Sequence, residues 1–582
     1  SVRSVNVSAA GGSATLGQVT TTGAVSVSAR DALSARGVVA TGSVRLASIN
    51  DAVRVTETIT SQQSSVTVAA KGLVETGNVT AGTFLDMQSR AGALKTGNLA
   101  ARSAQTATTS ATTNTTNPCI GTAICIQTGT DSTATNPAAL TASVGTVEAA
   151  AGNVRLDGRG GVEAGSVLAN AGSVVFSSSD GGVRAATVRA AAPVSVVTAS
   201  AATVASEVPR STVAASVTSS SVEALAKGSI ILGDVTSAGA VTLQSVEGSG
   251  GVTAGSIDAG TSATVSAAQG TVTVAKVAAK SGDLKVVGKN AVKTGDVTGN
   301  ATVDLVSESG TLESSAVNAG GVAKLAGASG IKLALIRGGS VDATSSAGSV
   351  AVTGAVTSTT AGVKLDGRDG VTSGAIDAAT TATVTAAQGA VSAAAVNAGG
   401  ALNVSGSNGV TVASIKGASV DAQSSGGGVT VGTGASSSFV AGTVTATSGA
   451  VNVAASKDVI AGVIDAATSA TVSAAQGAVT LANVAAKSGD LKIVGKNAVK
   501  TGDVAGNAAV ELVSESGTLE SSAVNAGGVA KLAGASGIKL ASIRGGSVDA
   551  TSSAGSVAVT GGVTSTTAGV KLDGRDGVTS GA

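Results

Sequence analysis

A branched apolar residue returns about every twenty positions along most of this chain. From Ile257 the series runs, in steps of twenty or nineteen, through Val277, Val297, Val317, Ile336, Val356, Ile376, Val396 and Ile415. An earlier series, in steps of twenty, comprises Val19, Val39, Ile59, Val79 and Leu99. A fixed period of this length indicates a repeat architecture, in which each unit buries its apolar face only against its neighbours.

Inside one period, apolar and polar side chains alternate. In one coil Val363, Leu365 and Val371 are apolar, and Lys364 and Thr372 occupy the alternating positions. Such alternation is typical of strands with one buried face, and the Gly, Asn, Ser and Asp residues between the runs tolerate turn conformations. We therefore predict an all-β chain folded as a right-handed parallel β-helix (a β-solenoid), with about 20 residues and three short strands per coil.

The regular pattern is interrupted three times. Residues 1–103 read as solenoid coils, and 104–146 as a Thr- and Asn-rich loop excursion. Residues 147–582 read as coils again, with irregular stretches near 189–234 and 416–463. We predict one elongated domain in which the excursions are extended corners, because insertions in solenoids generally lie in loops on one side.

A longer segment, which contains several of the twenty-residue repeats, is itself repeated. Residues 257–375 recur as 464–582, displaced by 207 positions with ten substitutions. The displacement equals about ten coils, so whole turns have been duplicated. Solenoids need polar caps at their ends, and since none is visible at Ala582, we expect the native polypeptide or an assembly of it to continue there.

Composition narrows the picture further. Of 582 residues only 3 are aromatic (Phe84, Phe176 and Phe439), which fits a narrow bore filled by aliphatic side chains rather than a wide globular core. The formal net charge is +1, and Lys and Asp residues are interleaved. Nucleic-acid-binding proteins generally concentrate basic residues on one face, so we expect no nucleic-acid partner. No apolar run is long enough to span a membrane as a helix.

Both cysteines lie in the first excursion, at Cys119 and Cys125. We predict a structural disulfide that closes a small loop in an oxidising compartment. A zinc site is disfavoured because two thiols cannot complete a tetrahedral site in a chain without His. A redox-active pair is disfavoured because its usual two-residue spacing is missing. We expect no metal and no cofactor.

Catalytic residues are equally scarce. The chain has no His, Trp or Tyr, which removes the commonest acid–base side chain and the usual sugar-stacking rings. Asp366 and Asp369 form a carboxylate pair in Leu-Asp-Gly-Arg-Asp-Gly, a motif that recurs unchanged at 572–577. A third copy, at 156–161, has Gly in place of the second Asp. A corner turn is the simpler interpretation, so we expect no catalytic site and no enzyme.

The coils that begin Ala-Val-Asn-Ala-Gly-Gly, at 316–325 and 395–404, resemble the repeats of filamentous haemagglutinin-type exoproteins. That resemblance covers most of the chain outside the excursions. It implies a large bacterial β-helical adhesin exported by a two-partner system, and therefore an outer-membrane secretion partner. The family's secretion domain is not recognisable here, and its shaft carries no catalytic residues to transfer.

We therefore expect a rigid extracellular shaft or fibre on a bacterial cell surface, serving adhesion, aggregation or a biofilm matrix. Its partners would be a host-cell or matrix surface and, end to end, other copies of the chain. One alternative is a β-helical lyase or hydrolase acting on polysaccharides. Another is an ice- or surface-binding solenoid, suggested by the outward threonines of residues 381–385.

Overall fold

Each coil consists of a short strand on a first face and a longer, bent strand on a second face. In one coil the first-face strand is Val363–Gly367, and the second-face strand is split at Gly374 into Gly370–Ser373 and Ile376–Ala378. In the next coil the second-face strand is continuous, Ala390–Ala398. The predicted β-solenoid is confirmed. A coil has the three predicted strands where its second-face strand is split; where that strand is continuous, the second and third predicted strands are merged into one, and both forms belong to one hydrogen-bonded sheet.

The computed structural model describes residues 3–103, 122–128, 141–178, 183–190, 194–198, 216–219, 221–226, 228–246, 250–433 and 440–581. Every regular element within these ranges is a β-strand. The chain divides into two compact units, Ser1–Asn300 and Ala301–Ala582.

The strands of each unit are given by face, in chain order. First-face strands of the first unit are Val5–Ala9, Val25–Ala29, Val44–Ser48, Val66–Ala70, Leu85–Ser89, Thr122–Thr128, Asn153–Gly158, Val174–Ser178, Val194–Thr198, Val222–Ala226, Val241–Ser245, Ala263–Ala267 and Leu284–Gly288. Second-face strands of the first unit are Ala14–Thr21, Leu33–Ala40, Val53–Val55, Ile59–Ser61, Val74–Thr76, Val79–Ala81, Leu94–Thr96, Leu99–Ala101, Ala142–Val144, Val147–Ala149, Val162–Ala169, Val183–Ala190, Ser216–Ser219, Ile230–Ile231, Val235–Ser237, Val252–Ala259, Thr271–Ala279 and Ala291–Gly299.

The second unit is built in the same way. Its first-face strands are Val303–Ser307, Val322–Gly327, Ser340–Ser345, Val363–Gly367, Ala382–Ala386, Ala401–Gly406, Ser419–Ser424, Val451–Ala455, Ala470–Ala474, Leu491–Gly495, Val510–Ser514, Val529–Gly534, Ser547–Ser552 and Val570–Gly574. Its second-face strands are Thr311–Ala319, Gly330–Gly338, Ser349–Val352, Val356–Ser358, Gly370–Ser373, Ile376–Ala378, Ala390–Ala398, Gly409–Gly417, Val429–Thr433, Val440–Ala441, Val444–Ala446, Val459–Ala466, Val479–Ala486, Val499–Thr501, Val504–Gly506, Leu519–Ala526, Ile538–Gly545, Val557–Val559, Val563–Ser565 and Val578–Ser580.

Neighbouring coils pair in parallel and in register. Val363 lies opposite Ala382, and Ile376 opposite Val396, which confirms the predicted coil length in this part of the chain. For one member of the early apolar series, Val39, the predicted inward position is wrong. Val38, not Val39, lies between Val19 and Ile59 and is fully buried. The coil that begins at Val19 is one residue short of twenty, which shifts the inward position by one.

The bore is filled by stacked aliphatic side chains. Val350, Val371 and Val391 follow one another in register, and each is 0% exposed. Burial of a side chain of this kind contributes about 1.5–3 kcal/mol relative to leaving it in water. Phe176 is fully buried in the first unit, where it stacks on Leu156. The aliphatic bore predicted from composition is thus confirmed for the described coils.

Corners are held by short hydrogen bonds from residues at the edge of the bore. Ser358 Oγ lies 2.8 Å from the carbonyl oxygen of Gly339 and 2.6 Å from that of Ala361, so one buried hydroxyl shares its single hydrogen between backbone acceptors of two coils. Gly370 has φ +151°, a conformation that side-chain-bearing residues rarely adopt. The Asp-Gly corner predicted at Asp369 and Gly370 is confirmed, because a strand ends before it and another begins at its Gly.

The predicted excursions contain strands of the stack. Within 104–146, Thr122–Thr128 pairs in parallel with Leu85–Ser89 and Asn153–Gly158, while residues 104–121 and 129–140 lie outside the described ranges. Two first-face strands lie within 189–234, Val194–Thr198 and Val222–Ala226. In 416–463, Val429–Thr433 and Val440–Ala441 form an antiparallel pair.

The long internal repeat is reproduced in structure. Leu284–Gly288 corresponds to Leu491–Gly495, displaced by the same 207 positions. An ion pair recurs with this displacement: Lys280 Nζ lies 2.9 Å from Asp258 Oδ2, and Lys487 Nζ lies 2.8 Å from Asp465 Oδ2. Nearly identical sequence therefore gives nearly identical local geometry.

Candidate functional site

The residues that the sequence singles out belong to different units of the chain. Cys125 lies on the first face of the first unit, is 1% exposed and is disulfide-bonded. Its pairing with Cys119 stays a prediction, because Cys119 lies outside the described residues. Asp366 and Asp369 lie in a corner of the second unit, with Asp366 half-buried and Asp369 exposed.

Polar side chains around Cys125 are partly buried, although they occupy the strand positions that face away from the bore. Asp86 and Arg155 lie opposite Cys125 on the two neighbouring strands. Burial raises the pKa of Asp86 above its ordinary value. Burial likewise raises the pKa of Asp157, and the Arg155 guanidinium, 2.7 Å from its carboxylate, opposes that rise.

A column of alternating charges follows the first face of the second unit. We name it the charge ladder and define it by five outward residues in register on successive strands: Lys492, Glu511, Lys531, Asp549 and Lys571. Because successive rungs lie about 4.8 Å apart, each charge has opposite charges on its neighbouring rungs. Interleaved charges are apparent in the sequence, but this alternation is not predicted there; its signal is a change in the sign of the charge at each step of one coil.

Glu511 is the best-connected rung. Its Oε2 lies 2.9 Å from Lys492 Nζ, and its Oε1 lies 3.5 Å from Lys531 Nζ. The hydrogen bond from Lys492 is the main cause that lowers the pKa of Glu511 below its ordinary value, and the charge of Lys531 lowers it further. In the first copy of the long repeat the corresponding residue is Asp304, whose Oδ1 is buried without a hydrogen-bond partner. Because Glu has one methylene more than Asp, the carboxylate of Glu511 reaches the ammonium groups of both Lys492 and Lys531.

The second face carries shorter ladders of the same kind. Arg54, Glu75 and Lys95 are consecutive outward residues in the first unit, with Arg54 Nη1 3.6 Å from Glu75 Oε2. In the second unit, Lys539 Nζ lies 3.6 Å from Glu520 Oε1 on the preceding coil. Exposed pairs of this kind each contribute about 0–1 kcal/mol. Their arrangement favours one register, because a shift by one coil places like charges together.

Replacing Glu511 by Gln is expected to destabilise the protein by about 0.5–1 kcal/mol near neutral pH, the range for exposed ion pairs. The folded-state pKa of Glu511 is lowered, so its stabilising contribution is present above the ordinary Glu pKa and is lost as pH falls through the lowered value. Urea denaturation followed by circular dichroism across this pH range measures the difference between the two proteins.

Glu148→Gln is the matched control, because Glu148 is exposed and lies between the uncharged Ala100 and Leu168. We expect it to change stability by less than about 0.5 kcal/mol at every pH. A Glu511→Gln effect that persists unchanged in acid would contradict the ion-pair interpretation.

A column of hydroxyl side chains lies on the second face between charged regions. Thr372, Ser392, Thr411 and Thr430 are consecutive outward residues in register. The column does not continue through the unit: Ala351 precedes it, and Ile460 lies opposite Thr430 on the next coil. This run of outward hydroxyls is therefore limited to four rungs. On the first face, Thr383 of the predicted threonine array lies between Lys364 and Asn403.

Within the described ranges no group of three or more Cys, Asp or Glu residues is placed to hold a metal ion. The same residues include no helix long and apolar enough to cross a membrane. The described surface carries ion pairs between neighbouring coils and short columns of hydroxyl side chains. Both repeat from coil to coil, and the ion pairs favour the observed register of the coils.

Comparisons with protein-family models, curated proteins and solved structures found no match to this chain.

Proposed function

We propose that this chain is a length of a structural and adhesive shaft, exposed on the surface of a bacterium or released from it. The single observation that carries the proposal is the in-register stacking of coils of nearly constant length, with opposite charges paired across successive coils. A stack of this kind has the same construction at every level, so its length can grow by duplication without a new core. The duplication of residues 257–375 is such an event.

Secretion through an outer-membrane partner is part of the same proposal. Its support is the resemblance of the Ala-Val-Asn-Ala-Gly-Gly coils to filamentous haemagglutinin-type repeats. Each coil contacts mainly its two neighbours, so folding can start at one end and propagate as the chain emerges. Disulfide-bonded Cys125 agrees with an oxidising compartment.

Adhesion is tested with beads coated with the intact chain. We expect coated beads to attach to epithelial layers or matrix proteins, and to aggregate with one another, more than beads carrying the coil-disrupting variant Val371→Asp. Equal attachment of both bead types, at the level of albumin-coated beads, rejects the adhesive function.

We further propose that the chain has no enzymatic activity. Incubation with pectin, alginate and glycosaminoglycans is expected to release neither unsaturated sugars nor new reducing ends. Release that depends on the folded chain, and that disappears in a variant lacking a specific carboxylate, would establish the polysaccharide-acting alternative instead.

A further inference from the structure

A second column of alternating charges lies on the first face of the second unit. We name it the upstream ladder and define it by four outward residues in register on successive strands: Asp304, Lys324, Asp342 and Lys364. Each of its residues lies 207 positions before a residue of the charge ladder. The internal duplication has therefore given one face two ladders.

The two ladders lie on either side of a mostly uncharged stretch of this face. We number the described first-face strands of the unit as rungs 1 to 14 in chain order, from Val303–Ser307 to Val570–Gly574. The upstream ladder then occupies rungs 1 to 4, and the charge ladder occupies rungs 10 to 14. The outward residues on rungs 5 to 9 are Thr383, Asn403, Asp421, Asn452 and Thr471. Of these five residues only Asp421 is charged.

The order of signs on this face is complementary to itself under a two-fold rotation. A second copy, rotated about an axis that is parallel to the strands and midway between rungs 7 and 8, places its rung 14 opposite rung 1 and its rung 11 opposite rung 4. The ladders then form the facing pairs Asp304 with Lys571, Lys324 with Asp549, Asp342 with Lys531, and Lys364 with Glu511. Every pair joins opposite charges, and the symmetry produces each pair twice.

The match depends on the register of the two copies. Moving one copy by a single rung places like charges opposite each other in every pair that the two ladders still form, which is unfavourable. Moving it by two rungs restores opposite signs but leaves at most three of the four kinds of pair. The charges of this unit therefore favour one antiparallel register over its neighbours.

The remaining side chains of the face permit close approach. The second outward column of the same strands consists of Val, Ala, Thr, Ser and Gln residues and two aspartates. Ser405 on rung 6 faces Ser473 on rung 9 in the two-fold arrangement. The aspartates, Asp366 and Asp573, lie on the same rungs as lysines of the two ladders.

The face is also large enough for a stable dimer. Its rungs span ~62 Å at ~4.8 Å per rung, and a strand of five residues spans ~16 Å, so the face covers ~1,000 Å² of each copy. Stable interfaces bury about 800 Å² per partner. The charges are accessible, since the side chains of Lys531 and Lys571 are 59% and 60% exposed.

We propose that two copies of this chain pack side by side through the first face of the second unit, antiparallel, with each ladder facing the other ladder of its partner. Ion pairs within each chain persist, because every ladder charge then has opposite charges on its own neighbouring rungs and across the interface. The contact uses the same surface on both copies, so it closes as a dimer. This inference rests on the proposed shaft function, which it deepens by naming a second copy as lateral partner.

Sedimentation equilibrium of the intact chain is expected to show this dimer. Its dissociation constant is expected to rise at least about tenfold between about 0.05 M and about 0.5 M NaCl, because salt screens the facing charges. Chains that stay single at both salt concentrations would overturn the proposal.

Two charge reversals test the facing pair Asp342 and Lys531. Lys531→Glu or Asp342→Lys alone is expected to weaken the dimer at least about tenfold, because each change creates two like-charged pairs. Mixing the two variants restores opposite charges at both positions, so the mixed dimer is expected to bind within about threefold of the unmodified chain. Recovery in the mixture also shows that both variants are folded.

Lys416→Glu is the matched control for these reversals. Lys416 is exposed on the second face, between the uncharged Asn397 and Thr445. This variant is expected to dimerise like the unmodified chain. A mixture of Lys531→Glu and Asp342→Lys that associates no better than either variant alone would contradict the proposed pairing.

The orientation is tested by mixing chains that carry Asn403→Cys with chains that carry Thr471→Cys and adding a short bismaleimide. Rungs 6 and 9 face each other in the antiparallel register, so we expect links between unlike chains. The native cysteines stay in place, since disulfide-bonded Cys125 has no free thiol. Links mainly between two chains that both carry Asn403→Cys would show a parallel arrangement and overturn the proposal.

This inference and the proposed function fail separately. Bead adhesion by chains that do not dimerise rejects the dimer and leaves the adhesive function standing. Dimers with the expected salt dependence and links, formed by chains that do not adhere, support the inference and reject adhesion.

Discussion

Val371→Asp is expected to lower the free energy of unfolding of the second unit by about 3–5 kcal/mol, the range for an uncompensated buried charge. Val371 is 0% exposed and lies between Val350 and Val391 in the bore. A carboxylate there finds only aliphatic neighbours, so it must take up a proton or open the stack. Urea denaturation measures the loss, and amide hydrogen exchange locates it in the strands on either side.

Thr372→Asp adds the same group at the next residue, which is exposed and lies between Ala351 and Ser392. It is expected to change stability by less than about 0.5 kcal/mol. If the two variants lost stability equally, the inward and outward positions assigned to this coil would be wrong.

Gly389→Ala is expected to destabilise the second unit by about 3 kcal/mol, at the upper end of the cost usually found for overpacking. An added Cβ would lie 1.8 Å from the backbone oxygen of Asp369 on the preceding coil. That atom belongs to the stacked backbone and cannot rotate away, so the two corners must separate. Thermal and urea denaturation measure the loss of stability.

Gly37→Ala is the control for this glycine. The atoms nearest to its added Cβ lie 3.5 Å away, at ordinary contact distance. We expect a change within about 0.5 kcal/mol, and a slight stabilisation is compatible with the smaller conformational freedom of Ala in the unfolded chain. Comparable losses in both variants would show that close approach of the corners does not determine which glycines are required.

The period and the inward phase were predictable because strand pairing repeats the same residue types at every level. Val371 and Thr372 could be assigned from alternation alone. Val39 could not, since Val38 beside it is equally apolar and the choice depends on a coil that is one residue short of twenty. Where two adjacent residues are both valines, hydrophobicity cannot show which of them points into the bore. Only the path of the backbone distinguishes them.

The candidate surface was less predictable than the bore. The charge ladder becomes visible only when Glu511 is placed between Lys492 and Lys531, which requires the register of three coils. Burial around Cys125 was not predictable, because Asp86 and Asp157 have the polar, outward signature of exposed residues. Their environment depends on what covers the face, not on local alternation.

Each coil of the repeat adds one rung to a parallel stack. Pulsed electron–electron double resonance measures this directly in the second unit, with nitroxides at Lys364 and, in turn, at Asn452, Lys492 or Lys531, after Ser replaces both native cysteines. These positions lie four, six and eight rungs from Lys364 on the first face. At ~4.8 Å per rung we predict separations near ~19, ~29 and ~38 Å. Distances that do not rise in proportion to the number of rungs would contradict the stacked-coil structure.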